Sequence, residues 1–428
     1  MSGTVLFMIV MLVSVLLYVP IGFSIGLGII SVCFFTTTMS TNMVFSTMYS
    51  SSDSFALLAV PFFILSGDIM ASCGISRRLV NLAKTMVGHV TGGLGMVCVI
   101  TCMFFAAISG SGVATAAAIG GIMIPMMIDD RYDRGFASAL TAMASAVGPV
   151  IPPSVPFIIY AIMCNVSVTE IFIGGVVPGI LMGLAMIIVA YLESKKHNYG
   201  IKTPKPSARE VWVAFWEAKW SIMMPVLVLG GIYSGAFTPT ESAIVACAYS
   251  LIIGLFVYKE IKFTSLFKIV ARSTATMGQV MALLTFATIL GKVFVLNHVP
   301  DMMADAVRSF TDNKIVVLML VNVILLIAGM FLETLAAVTI FAPLLLAILL
   351  PFGVSPLHFG VVMTVNLAIG LSTPPVGASL YIASGIAGIP IERTMRPLWP
   401  LLLANLIVLI MVTYFDPLVT FLPALLKR

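Results

Sequence analysis

Residues 146–161 read AVGPVIPPSVPFIIYA, and residues 368–383 read AIGLSTPPVGASLYIA. Set 222 residues apart, the two stretches align without a gap, and Ala146/Ala368, Gly148/Gly370, Pro152/Pro374, Pro153/Pro375 and Ala161/Ala383 coincide. A proline inside a helix offers no N–H to the carbonyl four residues earlier. Pro152 therefore leaves the Gly148 carbonyl free, Pro374 that of Gly370 and Pro375 that of Leu371, while Pro149, Pro153 and Pro156 free more in the first copy.

The solvent around these breaks follows from composition. Of 428 residues, 60% are hydrophobic and only 9% charged, against about a quarter charged in a soluble domain. This is the composition of an all-α polytopic membrane protein, since a spanning helix needs roughly 20 mainly apolar residues. The net charge of +5 does not suggest a nucleic-acid partner, because the basic residues lie between apolar runs and not on a soluble face. Cys33, Cys73, Cys98, Cys102, Cys164 and Cys247 mostly sit inside apolar segments without metal spacing and read as small hydrophobes. The first 25 residues hold no Lys or Arg, unlike the start of a cleavable signal peptide, so residues 5–18 are expected to stay as the first span.

Apolar runs between charged or Gly/Pro-rich breaks predict spans near 5–18, 20–37, 55–72, 136–163, 170–192, 221–236, 239–258, 275–297, 357–388 and 397–415. Two further stretches, 95–127 and 315–350, are too long for one helix and too interrupted for two, and read as re-entrant hairpins. With the N-terminus outside, 17 of the 22 basic residues fall on the cytoplasmic side, Lys202 and Arg272 among them. Arg308, Lys314, Lys427 and Arg428 fall outside, and Lys292 lies within a span. This positive-inside bias supports the orientation with the N-terminus outside, the periplasmic side of a bacterial inner-membrane protein.

The 222-residue match continues to Glu170/Glu392 and Pro178/Pro400, and the Pro20 and Pro239 turns correspond with a small shift. Each copy then holds five spans and one hairpin, and an odd number of crossings turns the second copy upside down, giving two inverted repeats with two broken transmembrane helices. The first repeat covers 1–192, with scaffold helices in 1–72 and a hairpin and broken helix in 95–163. The second covers 221–428, with its hairpin and broken helix in 315–388. Between them, 193–220 is a basic linker, and Ser207–Trp220 reads as an interfacial amphipathic helix bearing Trp212, Phe215, Trp216 and Trp220.

Each break lies near the middle of a segment of about 28 residues, hence near the bilayer midplane. A bare carbonyl there costs several kcal/mol, and a bound cation would satisfy it. The hairpin turns supply facing groups: Ser109-Gly110-Ser111-Gly112 in the first and Glu333-Thr334 in the second. Helix N-termini leaving such turns suit a carboxylate, and exposed carbonyls and hydroxyls suit a hard cation. A proton-coupled carrier needs a titratable group on the path. The first break and tip have none and the second has only Glu333, so Na+ is the expected coupling ion, with a proton role for Glu333 left open. Asp68 and Lys292, at roughly matching repeat positions, are buried charges expected to pair or face water. The chain has no phosphate-binding loop and no H-E-x-x-H motif.

Four stretches together resemble the large membrane subunit of the tripartite ATP-independent periplasmic (TRAP) transporters, in unfused form: GMFLETLAAVTIFAPLLL (329–346), HFGVVMTVNLAIGLSTPPVG (358–377), AISGSGVATAAAIG (107–120) and GPVIPPS (148–154). The resemblance spans essentially the whole chain. It implies an elevator mechanism, sodium coupling, a small four-helix membrane subunit as partner, and a periplasmic substrate-binding protein. Carried over by position, it implies one sodium site from Ser109, Ser111, Gly148, Val150, Ile151 and Pro153, and a second from Glu333, Thr334, Gly370, Ser372, Thr373 and Pro375. It implies a carboxylate substrate, sialic acid ahead of a C4-dicarboxylate. Ser154, Asn366 and Ser379 flank the breaks as substrate contacts or as helix-packing polar groups. A stand-alone carboxylate carrier of related fold, an intramembrane enzyme and a channel are the competing readings. The scattered His89, His197, His298 and His358 give an enzyme little support.

Overall fold

The computed structural model describes residues 3–17, 19–35, 40–201 and 204–426. Residues 18, 36 and 37 at the ends of the first two expected spans, and Lys202, Lys427 and Arg428 of the charge tally, lie outside the described residues. The described residues form twenty α-helices and no strand. The first ten are α1 (Gly3–Leu16), α2 (Ile21–Phe35), α3 (Thr41–Ser52), α4 (Ala59–Ala71), α5 (Ile75–Val87), α6 (Gly93–Ser109), α7 (Gly112–Asp129), α8 (Arg134–Ser145), α9 (Val155–Cys164) and α10 (Val168–His197). The second ten are α11 (Ala208–Tyr233), α12 (Pro239–Ile252), α13 (Phe263–Leu296), α14 (Val299–Phe310), α15 (Lys314–Phe331), α16 (Thr334–Leu349), α17 (Pro356–Gly370), α18 (Ala378–Ala387), α19 (Ile391–Tyr414) and α20 (Pro417–Leu426).

Among the described residues eight helices are long and apolar enough to cross a membrane, or nine if the bent pair over Thr41–Ser52 and Phe55–Ala71 forms one span. By length and composition alone α7, α15 and α16 are among the eight. Both Pro-Pro segments end a helix instead of kinking it. α8 stops at Ser145 and α9 starts at Val155, and α17 stops at Gly370 and α18 starts at Ala378. Ser154 caps α9 by accepting from the Phe157 N–H. The starts of α7 and α16, and of α8 and α17, stand 222 residues apart, so element order and sequence offset agree over this region.

Several boundaries differ from expectation. The linker helix and the following span are one 26-residue helix, α11, started by a Ser207–Glu210 capping box. Trp212, Trp216 and Trp220 lie along its exposed side, with Trp212 stacked on Trp216, and no helix-breaking residue stands at the expected junction near Trp220. α13 is 34 residues long and starts at Phe263, so Lys268 and Arg272 belong to a helix and not to a loop. The helices α3, α5, α14 and α20 have no counterpart among the expected spans. α5 carries Arg77, Arg78 and Lys84 opposite the buried Ile75, Leu79, Val80 and Ala83, the pattern of a surface helix too polar for a hydropathy reading to register.

The centre of the molecule is α8 with α9, α17 and the hairpins α6–α7 and α15–α16, which share one buried cluster. A smaller cluster of Phe7, Ile25, Ile29, Leu283 and Val293 joins α1 and α2 to α13 at the side. Two polar ties cross the centre. The Ser372 hydroxyl donates to the Ala142 carbonyl at 2.8 Å, fixing the second break to α8. The Asn366 amide donates to Asn322, whose amide donates to Thr413 at 3.0 Å.

Candidate substrate and ion site

The first hairpin turns on Gly110, whose φ of +60° lies in the left-handed region that glycine enters at little cost. A Cβ there would also meet the Pro153 carbonyl oxygen at 2.6 Å, so tip and break touch backbone to backbone. Gly148 makes the same contact from the other side: a Cβ on it would stand 2.7 Å from the Ser111 carbonyl and 2.8 Å from the Gly112 nitrogen. Ser111 caps α7, and the Ser109 and Thr115 hydroxyls are 3.0 Å apart. No N–H or O–H of the described residues donates to the Gly148 carbonyl, as the missing proline N–H requires. The Val150 carbonyl lies against Gly175 of α10, and the Ile151 side chain against Gly179.

The second break differs in detail. The Gly370 carbonyl is not bare, because it accepts from the Thr373 N–H at 2.9 Å, and the Leu371 carbonyl accepts from the Ser379 N–H at 3.2 Å. The chain after α17 closes into tight turns and recovers bonds that a straight helix would have lost. Gly370 approaches α15 one turn before the hairpin tip, where a Cβ on Gly370 would stand 2.7 Å from the Gly329 backbone. Three hydroxyls are nevertheless left with free lone pairs. Ser372 and Thr373 spend their protons on the carbonyls of Ala142 and Ile369, and the buried Thr334 hydroxyl has no partner. A hydroxyl oxygen so arranged can still accept from a donor or ligate a hard cation.

Both tips face one cavity of about 300 Å³. Ser109, Ser111 and Gly112 line it from the first hairpin, Glu333 and Thr334 from the second, Pro149 from one break and Leu371 from the other. Asp68 of α4 and Arg272 and Thr276 of α13 complete the wall. The Asp68 carboxylate accepts from the Ser273 hydroxyl at 2.6 Å. Arg272 is exposed to the cavity and forms no ion pair among the described residues. The expectation of two buried charges fails, since Asp68 is half-buried and Lys292 exposed; nor do they pair, because the Lys292 amine donates to Thr47 at 2.8 Å, away from this site. Ser154, Asn366 and Ser379 are fully buried and none lines the cavity.

Two broken helices and two hairpin tips meet at this one cavity, an arrangement that comparison with known proteins places in a transporter family. The model of the tripartite ATP-independent periplasmic transporter, DctM component, matches residues 8–418. The chain belongs to this family of TRAP transporter large permeases. It is 38% identical to the sialic acid TRAP transporter large permease SiaM of Vibrio cholerae over 406 residues, covering 95% of both chains. It is 39% identical over 367 residues to the C4-dicarboxylate permease DctM of Pseudomonas aeruginosa, covering 86% of each. With the isethionate TRAP transporter permease DctMQ of Oleidesulfovibrio alaskensis it shares 44% identity over 396 residues, 92% of this chain but only 62% of that longer protein. Among solved structures, the YdaH transporter of Alcanivorax borkumensis superposes with a TM-score of 0.61 at 15% identity, over 90% of this chain and 91% of that one. That likeness concerns the fold. The TRAP permease is thus a multi-pass membrane protein of transporter type.

Arg272 is the site residue that sequence reading missed. A cation ten residues into a helix that starts with Phe263 looks like a loop charge when the helix start is placed at 275. The signal available was the run Phe263 to Val270, whose apolar positions already keep helical spacing.

Proposed function

We propose that this permease imports a small organic anion, driven by the sodium gradient, as the translocating subunit of a three-part system with a small membrane subunit and a periplasmic binding protein. The observation that carries this reading is the shared cavity. It holds two carboxylates, Asp68 and Glu333, and one guanidinium, Arg272. With both acids ionised and no bound cation the site is net negative and repels an anion. Sodium ions on the open Gly148 carbonyl, the Ser109 and Ser111 hydroxyls, and the Glu333–Thr334 and Ser372–Thr373 oxygens reverse that sign. The anion then meets Arg272 without a net negative charge to offset its attraction. Coupling follows, because cation binding precedes and strengthens anion binding.

The matched order of helices across the 222-residue offset supports an inverted duplication, with the hairpins and broken helices moving as a unit against α1–α4 and α11–α13. With the N-terminus periplasmic, in the inner membrane, the Arg272 end of α13 is cytoplasmic and the cavity faces inward. The cargo is a carboxylate or sulfonate. Relatives that carry sialic acid, C4-dicarboxylates and isethionate share only the anionic group, and that group is what Arg272 is suited to hold. Reconstitution in liposomes with the small subunit and candidate binding proteins tests this, with sodium and proton gradients imposed separately. Uptake of isethionate, N-acetylneuraminate or succinate is expected with an inward sodium gradient and the binding protein. Uptake without the binding protein would favour a stand-alone carrier, and uptake driven by a proton gradient alone would defeat the sodium assignment.

A further inference from the structure

A second cavity, of about 600 Å³, lies at the other end of the helices that wall the first. Three helices contribute to both. α9 gives Val155 and Pro156 to the first cavity and Ile162 and Met163 to the second. α16 gives Thr334 and Leu335 to the first and Pro343 to the second, and α13 gives Arg272 and Thr276 to the first and Thr288 and Lys292 to the second. The twenty residues from Arg272 to Lys292 span about 30 Å of helix.

Among the described residues Lys292 is the one cation on the second wall. The side chain is exposed on that wall, but its amine is tethered and not free as that of a snorkelling lysine is. One N–H is held at 2.8 Å by the hydroxyl of Thr47, which is buried and itself donates to the Met43 carbonyl at 2.7 Å. An ammonium carries three donors. The other two have no acceptor among the described residues, and no carboxylate of those residues lies within ion-pair distance. The Ser54 hydroxyl, also on the wall, is a further donor that caps no helix N–H. An anchored cation with two open donors, sharing a cavity wall with a hydroxyl, has the donor set that one carboxylate or sulfonate group needs.

We propose that the Lys292 cavity is a second anion-binding station, which holds the cargo's charged group on the side of the molecule opposite Arg272. The inference rests on the anion-transport reading for its role and on the Lys292 geometry for the binding itself.

The test places a thiol in the cavity. In a chain whose six cysteines are replaced by alanine, reconstituted with the small subunit, Ser51→Cys supplies a reporter on the cavity wall. It is reacted with an anionic sulfonatoethyl and a cationic trimethylammonioethyl methanethiosulfonate. The anionic reagent is expected to be favoured, and Lys292→Gln to reduce the anionic-to-cationic rate ratio by about tenfold, with Lys292→Arg restoring it. Isethionate, N-acetylneuraminate or succinate in excess should slow the anionic reagent only when a cation is present at 292. A rate ratio unchanged by Lys292→Gln, or no slowing by any of the three anions, overturns the station. Charge preference and protection in a chain that transports none of the three anions would support the station and remove the transport reading instead.

Discussion

Gly148 approaches Ser111 so closely that a Cβ on Gly148 would stand 2.7 Å from the Ser111 carbonyl carbon and oxygen. Both sides of that contact are backbone, so neither can swing away. In the second half Gly370 makes an equally close backbone approach, at 2.7 Å, to Gly329, one turn before the hairpin tip. Gly148→Ala and Gly370→Ala therefore each push a hairpin off its broken helix, an overpacking of about 1–3 kcal/mol. Sodium-dependent uptake is expected to fall more than about tenfold in both, with membrane insertion retained. Gly121→Ala and Gly385→Ala serve as controls, since a Cβ at either meets nothing within 4 Å. Equal uptake in all four variants would remove the close approach from the mechanism.

Thr334 separates a structural hydroxyl from a ligand. Its oxygen is buried without a protein partner, which costs a fold about 1–3 kcal/mol. Thr334→Val keeps the shape and removes the orphan, so thermal stability without sodium is expected to hold or rise. The half-saturating sodium concentration should rise about tenfold, the loss of one oxygen from a cation shell, and the stabilisation conferred by sodium should shrink accordingly. A Thr334→Val chain with an unchanged sodium response would show that this hydroxyl does not contact the ion.

Asn366 packs against Asn322 and lies off the cavity wall. It is fully buried, and its amide donates to both the carbonyl and the side chain of Asn322 at 2.9 Å. Asn366→Ala strands those acceptors and is expected to cost about 1–3 kcal/mol in thermal unfolding. The concentration of anion giving half-maximal uptake should stay within about twofold of the parent, because the residue lies off the cavity wall. A stable variant with weakened substrate affinity would reverse the assignment.

The helix breaks and the turns at Gly110 and Glu333 were legible because prolines and glycines act on the backbone, and backbone rules need no neighbour. Gly148 behaves as those rules require. Gly370 does not, since its carbonyl is recaptured by Thr373 in a turn whose closure depends on contacts with α15 that spacing alone does not encode. Ser154 and Asn366 show the same limit for side chains: polarity beside a break is visible in sequence, but its direction is decided by packing. Ser154 faces its own helix end as a cap, and Asn366 faces Asn322. The continuity of α11 across the expected linker and span was hidden because a polar, aromatic first half and an apolar second half read as two elements. One capping box at Ser207 and no breaker before Pro225 make them one helix.

Arg272 offers the most direct test of how the cargo is held. Arg272 is exposed on the wall of the cavity between the hairpin tips, without an ion pair among the described residues, and a planar fork can grip a carboxylate or sulfonate with two N–H groups. Lysine keeps the charge but offers a point donor, and glutamine loses the charge. Uptake by proteoliposomes is therefore expected to show a graded loss of anion affinity, about threefold to tenfold for Arg272→Lys and about a hundredfold for Arg272→Gln. Sodium binding measured without the anion should not weaken, because removing a cation from the cavity lowers the repulsion that sodium meets. If Arg272→Gln instead weakened sodium and spared the anion, Arg272 would be acting through Asp68 and Glu333, and the cargo would have to be held by the hairpin tips alone.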